Sequence, residues 1–252
     1  MSKLAVIILT RNEEANIEAA IASATFADEI VVIDSGSTDR TQELAEKMGA
    51  RFITHPMDEE GFAGQRNFAL TQTEADWVLY LDADERIGNE LAVEIRNHIA
   101  ERPAYAAEIR RVNVVIGKTM YHGVYRPDYC QRLFRREQVR WESVVHEHAL
   151  TDMPLVRLKT SMEHLCLTDW TQYISKLDRY TTLMAEEMKL RGKKTGMLHM
   201  HSHALFAFLK MYVLKGGFLD GRQGFILCQF HYFYTLMKYI KLYELYKSEK
   251  NN

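Results

Sequence analysis

The chain has 252 residues, 47% of them hydrophobic, enough to bury a full core in one large domain or in one domain with an appendage. Its net charge of −2 conceals a division: residues 1–102 carry 9 Lys and Arg against 20 Asp and Glu, a net of −11, and residues 103–252 carry 23 against 14, a net of +9. An acidic half suits cation binding and a basic half suits an anionic partner, a phosphorylated molecule or a lipid surface, while the lack of a motif with base-stacking aromatics in the basic half argues against nucleic acid.

Through the first hundred residues, short apolar runs alternate with helical patterns. Residues 4–9, 29–33, 51–54 and 77–81 are predicted strands, and 14–24 and 40–48 predicted helices, the second opened by Asp39 with Gln42 three residues on and closed by Gly49. Such alternation implies βαβ crossovers and a parallel sheet covered on both faces. A further helix opens at Gly61-Phe62-Ala63-Gly64, where the glycines permit close approach. Residues 104–140 are rich in β-branched and aromatic side chains and arginines, with turns at Ile116-Gly117-Lys118 and Arg126-Pro127-Asp128; two to four strands are expected there. A long helix follows over 171–190, capped by Asp169 or Thr168.

Two more helices, 204–214 and 223–246, flank the segment Lys215-Gly216-Gly217-Phe218-Leu219-Asp220-Gly221. Their longest apolar stretch, broken by Gln229 and His231, is shorter than the roughly 20 residues a spanning helix needs. Aromatics here interleave with Lys210, Lys215, Arg222, Lys238, Lys241 and Lys247. They form either an interfacial element at a membrane or a packing face toward the rest of the chain or a second subunit. Cys130, Cys166 and Cys228 form no framework of pairs, which fits a reducing cytoplasm, and the first residues do not have the pattern of a secretory signal.

The chemistry concentrates in four segments. Trp77-Val78-Leu79-Tyr80-Leu81-Asp82-Ala83-Asp84 ends an apolar strand in two carboxylates two residues apart, which share a face while the strand geometry lasts. Two ionised carboxylates there are costly unless something positive lies between them, as a hard divalent cation with a bound diphosphate would; the alternative is that they cap a following helix. Asp34 ends the second strand, at the edge where open α/β sheets bind ligands, and can accept the N3–H of uracil, while Asp39 suits a cap. Thr10 and Asn12 follow the first strand into the same crevice, with Asn12 equally able to cap a helix. Arg66 can grip a phosphate or orient Asp82. In Trp141-Glu142-Ser143-Val144-Val145-His146-Glu147-His148, Glu147 is the candidate general base. His146, His148 or His164 can add a nitrogen ligand to a metal, or lie on a solvated strand edge.

In order and spacing, Ile7-Ile8-Leu9-Thr10-Arg11-Asn12-Glu13-Glu14, Val31-Val32-Ile33-Asp34-Ser35-Gly36-Ser37-Thr38-Asp39, Arg66-Asn67 and Leu81-Asp82-Ala83-Asp84-Glu85 resemble family 2 glycosyltransferases of the GT-A fold, over about the first 100 residues. Val145-His146-Glu147 through Asp169-Trp170, Lys176 with Arg179-Tyr180, and Gly217-Phe218-Leu219-Asp220-Gly221 are similar to a narrower branch, bacterial lipopolysaccharide inner-core glucosyltransferases that add glucose to heptose. Met200-His201-Ser202-His203 stands where that branch often has a proline.

The resemblance implies a Rossmann-like α/β fold, a mixed, mainly parallel sheet flanked by helices with a C-terminal amphipathic helical extension. The catalytic domain would span 1–168, with a nucleotide-sugar and metal half over 1–102 and an acceptor half over 103–168, and a helical region over 169–252 would meet the membrane or another subunit. It implies inverting transfer of glucose from UDP-glucose to a heptose, with Asp84 as the main ligand of Mg²⁺ or Mn²⁺, Asp82 near the ribose or the metal, and Thr10, Asn12, Asp34 and Arg66 on the nucleotide sugar. The enzyme would lie at the cytoplasmic face of the inner membrane, as a possible homo-oligomer. Two alternatives stay open: the same fold acting on a polyprenyl phosphate, capsule or other glycolipid acceptor, and a nucleotide-sugar-binding scaffold without turnover.

Overall fold

Apolar at every position but its last, the first strand forms β1 (Leu4–Thr10), with six of its seven residues buried, the pattern of a parallel strand covered on both faces. In chain order there follow α1 (Ile17–Ser23), β2 (Glu29–Asp34), α2 (Thr41–Lys47), β3 (Arg51–Thr54), α3 (Gly61–Leu70), β4 (Trp77–Asp82), β5 (Glu85–Arg86), α4 (Asn89–Glu101) and β6 (Ala106–Val115). Then come β7 (Lys118–Thr119), β8 (Asp128–Arg135), β9 (Arg140–Glu142), β10 (His148–Leu150), β11 (Leu155–Leu167), α5 (Trp170–Leu190), α6 (Met197–Leu209) and α7 (Gly221–Lys250). The structure, a computed structural model, describes residues 2–57, 59, 61–142 and 147–250.

The expected strands and helices of the first hundred residues form within a few residues of their predicted ends. Helix α1 starts at Ile17 rather than Glu14, because Asn12 takes a left-handed φ of 55° and residues 13–16 close a turn in which Asn16 donates to Glu13. Asp39 caps α2 through the Thr41 amide and hydroxyl. Gln42 does not return the bond and reaches forward to Glu46 instead. Helix α4 and strand β11 are elements the sequence reading leaves unassigned.

The main sheet runs β3-β2-β1-β4-β8-β6-β11-β5. Its first four strands are parallel, whereas β4 to β8, β8 to β6 and β11 to β5 are antiparallel. The sheet is mixed, as expected, but its parallel character ends at β4. Register then decides where chemistry can occur: Thr10 lies opposite Asp34 and Leu9 opposite Asp82, so the carboxyl ends of β1, β2 and β4 finish at one edge. That edge is where open α/β sheets take ligands.

Two compact units divide the chain, Met1–Val112 with Asp128–His164, and Asn113–Pro127 with Leu165–Asn252. The expected boundary after residue 168 thus becomes a division in which a short earlier segment joins the helical unit. Asp220 explains that membership. Its carboxylate accepts the backbone N–H groups of Tyr121 and His122 and contacts His122 Nδ1 at 2.9 Å, while Lys118 donates to its carbonyl. Helices α5, α6 and α7 share a core of Ala185, Met188, Met200, Tyr239 and Leu242. The glycine-rich segment before α7 is a site of close backbone approach, since a Cβ on Gly224 would collide with the carbonyl oxygen of Gly217. Gly224→Ala should therefore cost about 3 kcal/mol, the upper range for overpacking, read as a lowered midpoint in urea unfolding followed by circular dichroism.

Candidate functional site

At the carboxyl edge of β1, β2 and β4 lies a cleft of about 530 Å³ whose walls include Thr10, Arg11, Ser35, Arg66, Asp84 and His164. A second groove of about 380 Å³, with Arg111, Tyr129, Arg132 and His148 among its lining, adjoins the same site. Arg66, Asp82 and Glu147 line both. Three side chains thus form a wall common to two cavities.

Asp82 is held by two arginines. Arg66 Nη2 lies 3.3 Å from Oδ1 and Arg132 Nη2 lies 2.5 Å from Oδ2. Arg132 also reaches the buried Glu85 at 2.6 Å. Arg111 bridges that carboxylate to Asp128, and the second Glu85 oxygen accepts the Asp82 amide. Burial acts against a charge on Asp82, but the guanidiniums of Arg132 and Arg66 outweigh it and hold this carboxyl well below the usual range. Burial pushes Glu85 the other way, above its ordinary value, with the Asp82 charge adding to it. Arg132, Arg111 and Glu85 belong to the ionic network of the site and are missed by sequence reasoning. The available signal was an arginine inside the apolar β8 run Arg132-Leu133-Phe134, all three buried, since a buried arginine requires anionic partners.

The positive charge beside Asp82 is supplied here by Arg66 and Arg132, at the wall of the cleft that Asp84 also lines. The capping alternative is excluded, because the residues after Asp82 make a turn and β5, and α4 begins only at Asn89. Asp84 faces a different neighbour, His164 of β11, whose Nε2 lies 3.2 Å from Oδ2. Both line the cleft. Among the described residues no group of three or more His, Cys, Asp or Glu is placed to hold a metal. An oxygen and an imidazole nitrogen side by side still fit a Mg²⁺ or Mn²⁺ ion that takes its remaining ligands from phosphate and water, the usual manner of binding at phosphate sites. His148 lies in β10 opposite Glu142 and lines the second groove rather than the Asp84 side. His146 lies outside the described residues.

Glu147 Oε1 is 3.7 Å from Arg66 Nη2, so Arg66 spans Asp82 and Glu147. Of its two expected roles, orienting Asp82 is the one the geometry displays. Its guanidinium stacks on Trp141 at 4.6 Å and Tyr80 at 5.3 Å, where a cation is favoured by the ring faces. Its Nε and Nη1 are buried with no hydrogen-bond partner among the described residues. Asn67 fixes the neighbouring strand by exchanging two hydrogen bonds with the backbone of Trp141.

Asp34, expected to accept the N3–H of a base, is engaged within the protein in this structure. Its carboxylate accepts the hydroxyls of Thr10 and Ser37 and the amides of Gly36 and Ser37, which occupies the four lone-pair positions of a carboxylate. Gly36 allows the tight turn with a φ of 91°. Asn12 is likewise engaged: its side chain accepts the Thr38 amide and its backbone N–H donates to Ser37. Both residues shape the crevice by joining the loops after β1 and β2, and of the two loops it is Thr10, Arg11, Glu13 and Ser35 that line the cleft.

A model of glycosyl transferase family 2 matches residues 5–157. The lipopolysaccharide core biosynthesis glycosyltransferase LpsC of Rhizobium meliloti (strain 1021) is 30% identical over 254 residues, covering 96% of this chain and 92% of that protein. An uncharacterized glycosyltransferase of Rickettsia bellii (strain RML369-C) is 28% identical over 257 residues, 96% of this chain and 87% of its own length. Among solved structures, glucosyl-3-phosphoglycerate synthase from Mycobacterium tuberculosis, in complex with Mn²⁺, uridine diphosphate and glucosyl-3-phosphoglycerate, is 17% identical with a TM-score of 0.47, covering 77% of this chain and 82% of that one.

The clamp around Arg132 sets an expected outcome. Arg132→Met should destabilise by roughly 3 kcal/mol at pH 7, because two carboxylates lose their buried partner. The loss should shrink near pH 4, because the carboxylates left without Arg132 can take up protons there and no longer remain as unpaired buried charges. The lowered Asp82 contributes stability above its unfolded value of about 3.9 that is lost only as pH falls through the folded value. The raised Glu85 behaves oppositely, contributing below about 4.3 and losing that contribution as pH rises. Urea unfolding of both proteins at the two pH values measures the difference.

Proposed function

Since the chain belongs to glycosyl transferase family 2, whose members transfer sugars from nucleotide donors, we propose that it moves glucose from UDP-glucose to a heptose of the lipopolysaccharide inner core. The observation that carries this reading is the wall of Arg66, Asp82 and Glu147 common to two cavities. A transferase must bring donor and acceptor to one reacting centre, and two cavities meeting at a carboxylate and an arginine provide for that. The likeness to LpsC over nearly the whole chain supports the choice of acceptor.

In this reading the first cleft takes the nucleotide sugar. Thr10 and Ser35 line it with small polar groups, and the Asp34 and Asn12 hydrogen bonds keep the two loops in place. Asp84 and His164 would hold Mg²⁺ or Mn²⁺, which when bound supplies positive charge to the diphosphate leaving group. Glu147 accepts the proton of the attacking acceptor hydroxyl. Arg66, fixed by Asp82 on one side and stacked on Trp141, keeps Glu147 at the junction of the two cavities. The second groove, with Arg111 and Arg132 in its lining, suits an acceptor that carries phosphate or carboxylate groups. The protein would act at the inner face of the membrane, where a lipid-linked core is assembled.

Incubation of the purified protein with UDP-glucose, Mn²⁺ and core lipid ending in heptose should give a product heavier by one hexose in mass spectrometry. Failure across UDP-sugars and core acceptors would sink the reading. Glu147→Gln should lower kcat by roughly 10² to 10⁴ with little change in UDP affinity, as expected for loss of a general base. Asp84→Asn should remove the dependence of UDP affinity on Mn²⁺ in calorimetry, and a variant that keeps that dependence would refute the ligand assignment.

A further inference from the structure

Helix α6 is apolar on two opposite sides. Met200 and Ala204, four residues apart, are buried, Met200 in the core it shares with Tyr239 of α7. Leu198, Leu205 and Leu209, at i, i+7 and i+11, fall on the far side with Phe206 beside them. All four are exposed, Leu198 at 85% and Phe206 at 60%. Beyond the helix end, Leu214 and Leu219 are exposed at 73% and 61%. An apolar strip of this length left in water is the mark of an interaction surface.

Charge identifies the occupant. Residues 188–219 contain six Lys and Arg and no Asp or Glu, and Lys193, Lys194, Lys210 and Lys215 are exposed. An exposed apolar face in a cation-rich segment matches a surface that is greasy below and negative above, a bilayer with anionic headgroups. A second copy of the chain fits poorly. Two-fold pairing sets a patch against itself, which here would bring lysines onto lysines with no acid in the segment to answer them. Among the described residues no helix is long and apolar enough to cross a membrane, so the strip has the character of an interfacial element.

We propose that the outer face of α6, together with the 210–219 segment, docks on an anionic lipid surface, its leucines and phenylalanines entering the acyl boundary and its lysines meeting headgroup phosphates. The inference deepens the reading of a lipid-linked acceptor and rests on it for the identity of the membrane.

Co-sedimentation of the full chain with vesicles containing phosphatidylglycerol, against vesicles of phosphatidylcholine alone, tests it. The wild type should partition onto the anionic vesicles and be released by salt. Leu205→Glu with Leu209→Glu should weaken partition by at least about tenfold. Lys210→Gln with Lys215→Gln, which leaves the apolar strip intact, should weaken it by about fivefold per lysine. Equal binding to both vesicle types, no binding to either, or unchanged partition of both variants would overturn the proposal. So would a wild-type dimer in sedimentation velocity that the leucine variant dissolves without loss of vesicle binding. Turnover on a lipid-free heptose acceptor should be the same in all three proteins. Vesicle binding without sugar transfer to any core acceptor would refute the acceptor assignment and leave the docking face standing.

Discussion

Asp82 sits between two buried guanidiniums, and the layout of the cleft depends on that pairing. A carboxylate at the end of a buried strand is tolerable only beside positive charge. Arg132 from β8 and Arg66 from α3 provide it from opposite sides. Each arginine then has a second partner, Glu85 for Arg132 and Glu147 for Arg66, so satisfying one carboxylate also positions two further carboxylates. The antiparallel half of the sheet contributes to the site through this ion pair from β8 and through His164 of β11.

The pairing also separates the roles of the two aspartates in the Asp-x-Asp segment. Asp82 is paired with two arginines at the wall shared by both cavities, whereas Asp84 lies one turn on and meets His164 at the cleft wall. A cation arriving with a diphosphate would meet one carboxylate and one imidazole, which leaves most of its coordination to the ligand. Placing Glu147 at the junction of the two cavities follows from the same arginine, since Arg66 reaches toward it from the position that Asp82 and Trp141 define.

Much of the fold could be read along the chain. The strands at 4–10, 29–34, 51–54 and 77–82 were legible because runs of Ile, Val and Leu buried on both faces depend on local composition, and the Asp39 cap because it acts within two residues. Residue roles were less legible where a side chain has several partners to choose from. Asp34 illustrates this: its position at a strand end was evident, but its four hydrogen bonds arise from a turn and from a strand 24 residues away. The membership of residues 113–127 in the helical unit was hidden for the same reason, since Asp220 captures Tyr121 and His122 across 99 and 98 residues of sequence.

Sequence by itself determined the parallel half of the sheet, the ligand edge at the ends of β1, β2 and β4, and the acidic pair that marks it, because side-chain periodicity and strand ends are local properties. Only the tertiary structure decided which charge answers which: Arg132 to Asp82 over 50 residues, Arg132 to Glu85 over 47, and His164 beside Asp84 over 80. The physical reason is that an ion pair depends on distance in space and on exclusion of water, and neither is encoded in the spacing of residues along the chain.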